Sequence, residues 1–101
     1  MKMLLMFLNE TDTWQGVPLH QAIVERLRQL GVAGATAQTG VMGYGHHIGP
    51  GHKGVFAVSD DRPVTILAID DEARIRASLP ELRRIARHAL MVLQDVELVA
   101  D

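Results

Sequence analysis

The sequence contains no cysteine. Disulfides, thiolate zinc sites and cysteine nucleophiles are therefore excluded, and the absence fits a reducing compartment, so we expect a cytoplasmic protein. A large excess of one charge is lacking as well, since 12 acidic and 10 basic residues give a formal net charge of -2. We therefore expect no general attraction to nucleic acid or to anionic lipid.

Long hydrophobic runs are also absent. The apolar run near the N-terminus, in MKMLLMFLNE, is too short for a signal-peptide core or a membrane span, so we expect no membrane insertion. The 101 residues are 48% hydrophobic and 22% charged, which is the composition of a folded chain. We expect a single domain over residues 1–101.

Hydrophobic periodicity predicts four strands and two helices. The strands are predicted over residues 3–8, 33–42, 64–69 and 90–99, the last with an interruption near Gln94 and Asp95. Residues 54–59, GVFAVS, are predicted to be a short apolar segment that leads the chain from the loop back toward the third strand. The first helix begins near Pro18 and ends before Gly31, and its apolar residues recur at helical spacing.

The second helix is predicted to begin after Asp70, which is a suitable N-cap residue. Its inward face carries Ile75, Leu79, Leu82 and Ile85. Pro80 lies inside this pattern and predicts a kink or a break, because proline lacks the N–H that the helix needs. Two neighbouring residues suggest a capping box that restarts the helix, namely Ser78 and Glu81.

The order strand, helix, strand, strand, helix, strand is typical of an α+β, ferredoxin-like βαββαβ sandwich. Both helices then cover one face of the sheet. The strands at residues 3–8 and 64–69 are apolar at both alternating sets of positions, so the uncovered face exposes large apolar side chains. We therefore predict an oligomer that packs these faces together. The alternative is that one of the two strands is a buried helical segment.

A set of short segments also resembles a known family. The segments are, in order, MLLMFLNETDTW, GVPLHQAIVERLRQLGVAGAT, GVMGYG, SDDRPVTILAIDDEARI, ASLPELRRI and LMVLQDVELV. At these spacings the sequence resembles the PII-like family catalogued as domain of unknown function 190. The resemblance implies a homotrimer like those of PII signalling proteins, with a long loop between the second and third strands.

The resemblance also implies a regulatory function. In PII proteins adenine nucleotides bind in clefts between subunits at the base of that loop, and the loop engages a protein partner. By analogy we expect ATP, ADP or AMP as the small-molecule ligand here. The loop corresponds to residues 40–54, GVMGYGHHIGPGHKG, which we call the Gly/His loop. Its first half supplies the expected ligand contacts, Gly40, Gly43, Tyr44 and Gly45.

The residues of the Gly/His loop support several kinds of site. GPGHKG has the spacing of a dinucleotide fingerprint, but a strand-like segment follows it where a helix is required, so we reject that reading. A glycine-rich backbone can still bind an anion, and His52 and Lys53 could meet phosphates. Alternatively, His46, His47 and His52 could bind a metal in a CutA-like trimer. The alternative without any ligand or metal site is a loop that connects two strands and uses its glycines for turns.

Outside the loop, five of the eight arginines lie on the second helix or just after it, followed by His88. Solvation of an outer helix face explains most of them, and the best ligand candidates are Arg84, Arg87 and His88. Trp14, the only tryptophan, either packs over the edge of the core or lines an inter-subunit cleft. No serine elbow or paired carboxylates occur, so we expect no enzyme activity. The alternative is a small enzyme on the same fold that uses a histidine as its base.

Overall fold

The computed structural model describes residues 1–45, 56–57 and 61–100. In chain order its elements are β1 (Lys2–Asn9), β2 (Thr13–Trp14), β3 (Val17–Pro18), α1 (Leu19–Gln29), β4 (Gly34–Thr39), β5 (Met42–Gly43), β6 (Phe56–Ala57), β7 (Pro63–Asp70), α2 (Glu72–Ile85) and β8 (Leu90–Asp95). Among the described residues, no helix is long and apolar enough to cross a bilayer.

The main sheet has four antiparallel strands in the order β4-β7-β1-β8. Strands β2 and β3 form a separate hairpin, and β5 pairs with β6. Without these short pairs, the order of elements is the predicted βαββαβ, so the ferredoxin-like α+β fold is confirmed. The loop between the second and third strands of the main sheet begins after β4 and ends before β7, as expected.

The core lies between one face of the sheet and both helices. Every second residue of β1 and β7 points into it, and these six side chains are at most 3% exposed: Leu4, Met6, Leu8, Val64, Ile66 and Ala68. The helices contribute residues at helical spacing, namely Leu19, Ile23, Leu27, Ile75, Leu82 and Ile85. Because side chains alternate along a strand, the other residues of β1 and β7 face away from the helices.

This second face of the sheet is apolar and is not covered by any described element. Leu5 lies opposite Leu67 on one side and Val92 on the other, and Phe7 lies opposite Leu90. Ile69, Leu90 and Val92 are 41%, 46% and 38% exposed. The prediction that the two central strands are apolar on both faces is therefore confirmed, and we call this surface the bare face.

The second helix differs from its prediction at its start and its middle. Asp71, not Asp70, is the N-cap residue, since its carboxylate accepts a hydrogen bond of 3.0 Å from the Arg74 N–H. Asp70 is instead buried and accepts hydrogen bonds from the N–H groups of Ala33 (2.9 Å) and Asp71 (2.7 Å). Chiefly the Asp71 N–H, and then that of Ala33, lower the pKa of the Asp70 carboxyl.

Pro80 neither breaks nor restarts the helix, which runs continuously from Glu72 to Ile85. The predicted capping box is wrong, because the Ser78 hydroxyl donates to the Ile75 carbonyl (2.6 Å) and Glu81 pairs with arginines. The buried face of α2 holds the helix together, while Pro80 lies on its exposed side.

The predicted strand over residues 33–42 is two strands, β4 and β5, and the last strand ends at Asp95 and not at residue 99.

Candidate functional site

Four strand ends meet at the end of the sheet from which the Gly/His loop leaves. Asn9, at the end of β1, lies opposite Pro63, at the start of β7. Thr39, at the end of β4, pairs with Val64, and Phe7 pairs with Leu90, at the start of β8. The base of the Gly/His loop, the turn after β1 and the connection before β8 therefore share one end of the sheet, which we call the loop end.

The base of the Gly/His loop is fixed by Pro63. The Gly40 N–H donates to the Pro63 carbonyl at 2.7 Å. A Cβ at Gly40 would lie 2.9 Å from the Pro63 ring, and one at Gly43 would lie 3.3 Å from it. At these two positions, the close approach that glycine permits is therefore an approach to Pro63. A ligand contact of Gly40 or Gly43 stays a prediction about their backbone.

Beyond Gly40 the loop contains β5, which pairs with β6 on the far side of the loop, with Met42 opposite Ala57. Tyr44 is 74% exposed and Val41 is 75% exposed, so the base of the loop presents uncovered apolar surface. Gly45 has a φ of 149°, a conformation that glycine adopts readily. Tyr44 and Gly45 belong to the first of two groups of candidate ligand residues. The second group lies at the end of α2.

The turn after β1 positions Trp14. The Asp12 carboxylate accepts the Asn9 N–H at 2.9 Å, and the Asp12 N–H donates to the Asn9 carbonyl at 3.1 Å. Gln15 and Gly16 then adopt φ values of 48° and 84°, the left-handed pair that a tight two-residue hairpin requires. The hairpin places the half-buried indole of Trp14 against the core.

The end of α2 supplies the cationic part of the site. The Arg83 guanidinium donates to three carbonyls of the connection before β8, including that of Ala89 at 2.8 Å. These bonds hold Arg87 and His88 in place on an exposed turn. Within the described part of the chain, the Arg87 and His88 side chains have no hydrogen-bond or ion-pair partner. Arg84 lies over Trp14, with 5.7 Å from its guanidinium carbon to the ring centre.

A cleft of about 310 Å³ lies between the turn after β1 and the connection before β8. Its lining is mostly apolar: Leu8, Asp12, Thr13, Trp14, Leu19, Ile85, Ala86, Arg87, His88 and Ala89. A second depression of about 360 Å³ lies on the α1 side and shares Trp14 and Ile85 with the first. We call the first one the Trp14 cleft. Its volume is at the lower end of the range for small-molecule sites.

The predicted ligand residues are not brought together within one chain. Tyr44 follows β4, and Arg87 precedes β8, and these strands are the two opposite edges of the sheet. Strands β4 and β8 are three strand spacings apart, which is about 14 Å. The structure does bring together Arg84, Arg87 and His88 at the end of α2, with Trp14 beside them.

Several predicted residues lie outside the part of the chain that the structure describes. These are His46, His47, His52 and Lys53. Within the described residues, no group of three or more histidine, aspartate or glutamate side chains could hold a metal ion.

The residues that sequence reasoning missed are those of the turn and hairpin after β1. The sequence pattern predicts no helix or strand over residues 10–16, whereas in the structure Asp12 anchors a turn and Gln15–Gly16 closes a hairpin. The available signal was Gln-Gly between two apolar residues, Trp14 and Val17, which resembles the Asn-Gly pattern of hairpin turns.

The order of the elements along the chain and of the strands in the sheet defines the class of protein, a ferredoxin-like α+β domain of the PII-like type. A family model described as "Uncharacterized ACR" matches residues 1–98, and the chain therefore belongs to the DUF190 family.

Curated relatives agree with this assignment. A UPF0166 protein of Aquifex aeolicus is 30% identical over 98 residues, covering 97% of this chain and 92% of the relative. A UPF0166 protein of Methanocaldococcus jannaschii is 32% identical over 95 residues, covering 93% and 87%.

Solved structures extend the likeness at the level of the fold. A DUF3240 family protein from Shewanella baltica has a TM-score of 0.65 at 14% identity, covering 99% of this chain and 94% of that one. CutA1 from Pyrococcus horikoshii has a TM-score of 0.63 at 13% identity, covering 100% and 88%. At such identities the likeness shows the fold alone.

Proposed function

We propose that the protein is a PII-like regulatory homotrimer that binds an adenine nucleotide in the clefts between its subunits. Through the Gly/His loop, it would then control a protein partner. The observation that carries the proposal is the position of Tyr44 and Arg87, at the same end but on opposite edges of a sheet whose outer face is bare. We assign no catalytic residue.

The bare face supports assembly into a closed ring. Leu5, Leu67 and Val92 form a contiguous apolar surface of the kind that soluble proteins cover by association. Leu98 and Val99, after β8, are 70% and 85% exposed and are further uncovered apolar side chains. In a cyclic trimer each contact joins two different patches. In the proposed ring the β4 edge of one subunit meets the β8 edge of the next.

This arrangement completes the ligand site. When opposite edges meet without a shift along the strands, the loop ends of the two sheets adjoin. Tyr44 of one subunit then lies near Arg87 and His88 of its neighbour. Guanidinium groups bind phosphate through two parallel hydrogen bonds. The exposed Arg87 guanidinium can do so, because it makes no hydrogen bond or ion pair with the described residues.

The same geometry couples the ligand to the loop. Tyr44 directly follows β5, the strand within the Gly/His loop that pairs with β6. A ligand that contacts Tyr44 in only one loop conformation shifts the population toward that conformation. A partner that recognises the loop would sense the change.

Titration calorimetry with ATP, ADP and AMP tests the proposal. We expect one ligand per subunit and at least tenfold weaker binding for Arg87→Ala, because a hydrogen bond to a charged group contributes about 1.5–3 kcal/mol. Arg76→Ala is the matched control, since Arg76 lies in the first half of the same helix and pairs with Glu72 at 2.7 Å. If no adenine nucleotide binds at millimolar concentration, this ligand class is excluded.

The metal hypothesis keeps a separate test. Three histidines within seven residues, His46, His47 and His52, favour it in the sequence. Calorimetry with Zn²⁺ and Ni²⁺ on wild type and His52→Ala decides the matter. A tight site that His52→Ala removes would support a metal-binding trimer, and equally weak binding by both proteins would exclude it.

A further inference from the structure

We infer that the Trp14 cleft holds the purine base of the nucleotide, with the indole of Trp14 as its stacking surface and with Arg87 and His88 meeting its phosphate. The inference rests on the proposed function and adds to it the part of the ligand that each group recognises. Nothing in the family resemblance assigns a role to Trp14.

The walls of the cleft suit a flat apolar group. Leu8, Leu19 and Ile85 form its floor on the core side, and they leave about 310 Å³ unfilled next to the indole. The hairpin and the turn anchored by Asp12 hold the indole at the cleft wall. An aromatic wall at an open cleft provides the offset stacking that bases share with indole rings.

The charges at the mouth suit an anion attached to that flat group. Glu81 neutralises Arg84 in an ion pair, whereas Arg87 has no partner in the described part of the chain. The one acidic residue in the lining, Asp12, is already occupied by the Asn9 N–H. The cleft is thus apolar inside and has at its mouth the guanidinium of Arg87, which no described carboxylate pairs, and this suits a base that carries a phosphate.

The position of the cleft agrees with the subunit geometry. Arg87 and His88 precede β8, the edge at which a neighbouring copy would bring its Tyr44. A nucleotide with its base beside Trp14 would therefore direct its phosphates outward, toward the junction between subunits. An aliphatic side chain of the neighbouring copy is the competing occupant of the same cleft.

Because Trp14 is the only tryptophan, its emission reports on the cleft without a label. The wild-type trimer is titrated with AMP, with ribose 5-phosphate and with inorganic phosphate, and binding is followed by calorimetry and by Trp14 emission. We expect AMP to bind roughly five- to 150-fold more tightly than ribose 5-phosphate, the range that stacking on an aromatic side chain gives. We also expect AMP alone to quench the emission and to protect it from acrylamide.

Two variants separate stacking from simple packing. Trp14→Phe retains an aromatic surface and should keep most of the AMP preference, whereas Trp14→Leu should bind AMP and ribose 5-phosphate almost equally. The wild-type ratio stands if either variant fails to fold. AMP binding by calorimetry with unchanged emission and no preference over ribose 5-phosphate would overturn the inference and leave the proposed function intact. Absence of any AMP binding would overturn both the inference and the proposed function. If Trp14 emission is protected from acrylamide in the trimer without any ligand, the occupant of the cleft is the neighbouring copy, which also overturns the inference.

Discussion

The guanidinium of Arg84 lies over the ring of Trp14, with its central carbon 5.7 Å from the ring centre. Glu81 holds this arrangement in place, because it pairs with Arg84 in its own helix and with Arg26 of α1 at 3.0 Å. The hydrogen bond from Arg84 is the main reason why the pKa of the Glu81 carboxyl lies below its usual value. One carboxylate thus links α1, α2 and the indole.

Glu81→Gln should therefore release Arg84 from the indole and alter Trp14 emission. We expect a shift in the emission maximum and easier quenching by iodide, with little change in stability, because exposed ion pairs contribute little. Glu72→Gln is the matched control, since it breaks the pair with Arg76 at the start of the same helix. Identical emission from both variants would show that Glu81 does not hold Arg84 against the ring.

Gly40→Ala should destabilise the base of the Gly/His loop. The new Cβ would lie 2.9 Å from the Pro63 ring, so we expect the free energy of unfolding to fall by about 1–3 kcal/mol. Urea denaturation measures the change. Gly34→Ala is the control, because its Cβ meets nothing within 4 Å in the described residues. Equal stability of the two variants would mean that Pro63 moves aside freely.

Leu67→Lys should dissociate the oligomer. Leu67 lies on the bare face between Leu5 and Thr36, so a subunit interface there would bury an unpaired ammonium group. Sedimentation equilibrium should give the mass of a monomer for this variant and of a trimer for wild type. Ala77→Lys, on the exposed side of α2, should leave the trimer intact. A trimer that persists in Leu67→Lys would exclude the bare face as the interface.

Asp70→Asn should remove part of the dependence of stability on pH. The folded pKa of Asp70 is lowered, so its contribution to stability is complete above the unfolded value of about 4 and is lost as the pH falls through the folded pKa. We expect the variant to be less stable than wild type at pH 7. Asparagine has one acceptor oxygen, so its NH₂ group would face one of the two N–H donors. The difference should shrink as the pH falls below about 4, as urea denaturation at each pH can show. A constant difference would contradict the role of the charge.

Much of the fold was predictable because its determinants are local in the sequence. The two-sided apolar strands and the helical spacing of residues such as Ile23 and Ile75 specified the sandwich and its bare face. The hairpin at Gln15–Gly16 was missed because a glutamine with positive φ is uncommon. Of the kink or break predicted at Pro80, the break is wrong, because packing of the buried face of α2, which no local pattern reveals, keeps the helix continuous.

The candidate site was less predictable than the fold. Arg84, Arg87 and His88 could be chosen from their clustering, but the cleft beside them depends on how the hairpin folds over the core. The glycines at positions 40 and 43 suggested room for a ligand, whereas the structure places Pro63 there. A contact between distant segments of this kind leaves no periodic signal in the sequence.

The central claim is that each ligand site combines Tyr44 of one subunit with Arg87 of another, and mixed trimers test it most directly. Tyr44→Asp and Arg87→Ala, each defective in AMP binding alone, are unfolded together in urea, refolded as a mixture and titrated with AMP. If the sites form between subunits, random mixing should restore about a quarter of them to wild-type affinity, since these combine an intact Tyr44 with an intact Arg87. If mixed trimers form and no site recovers, the two residues do not act across a subunit boundary, and the account is contradicted.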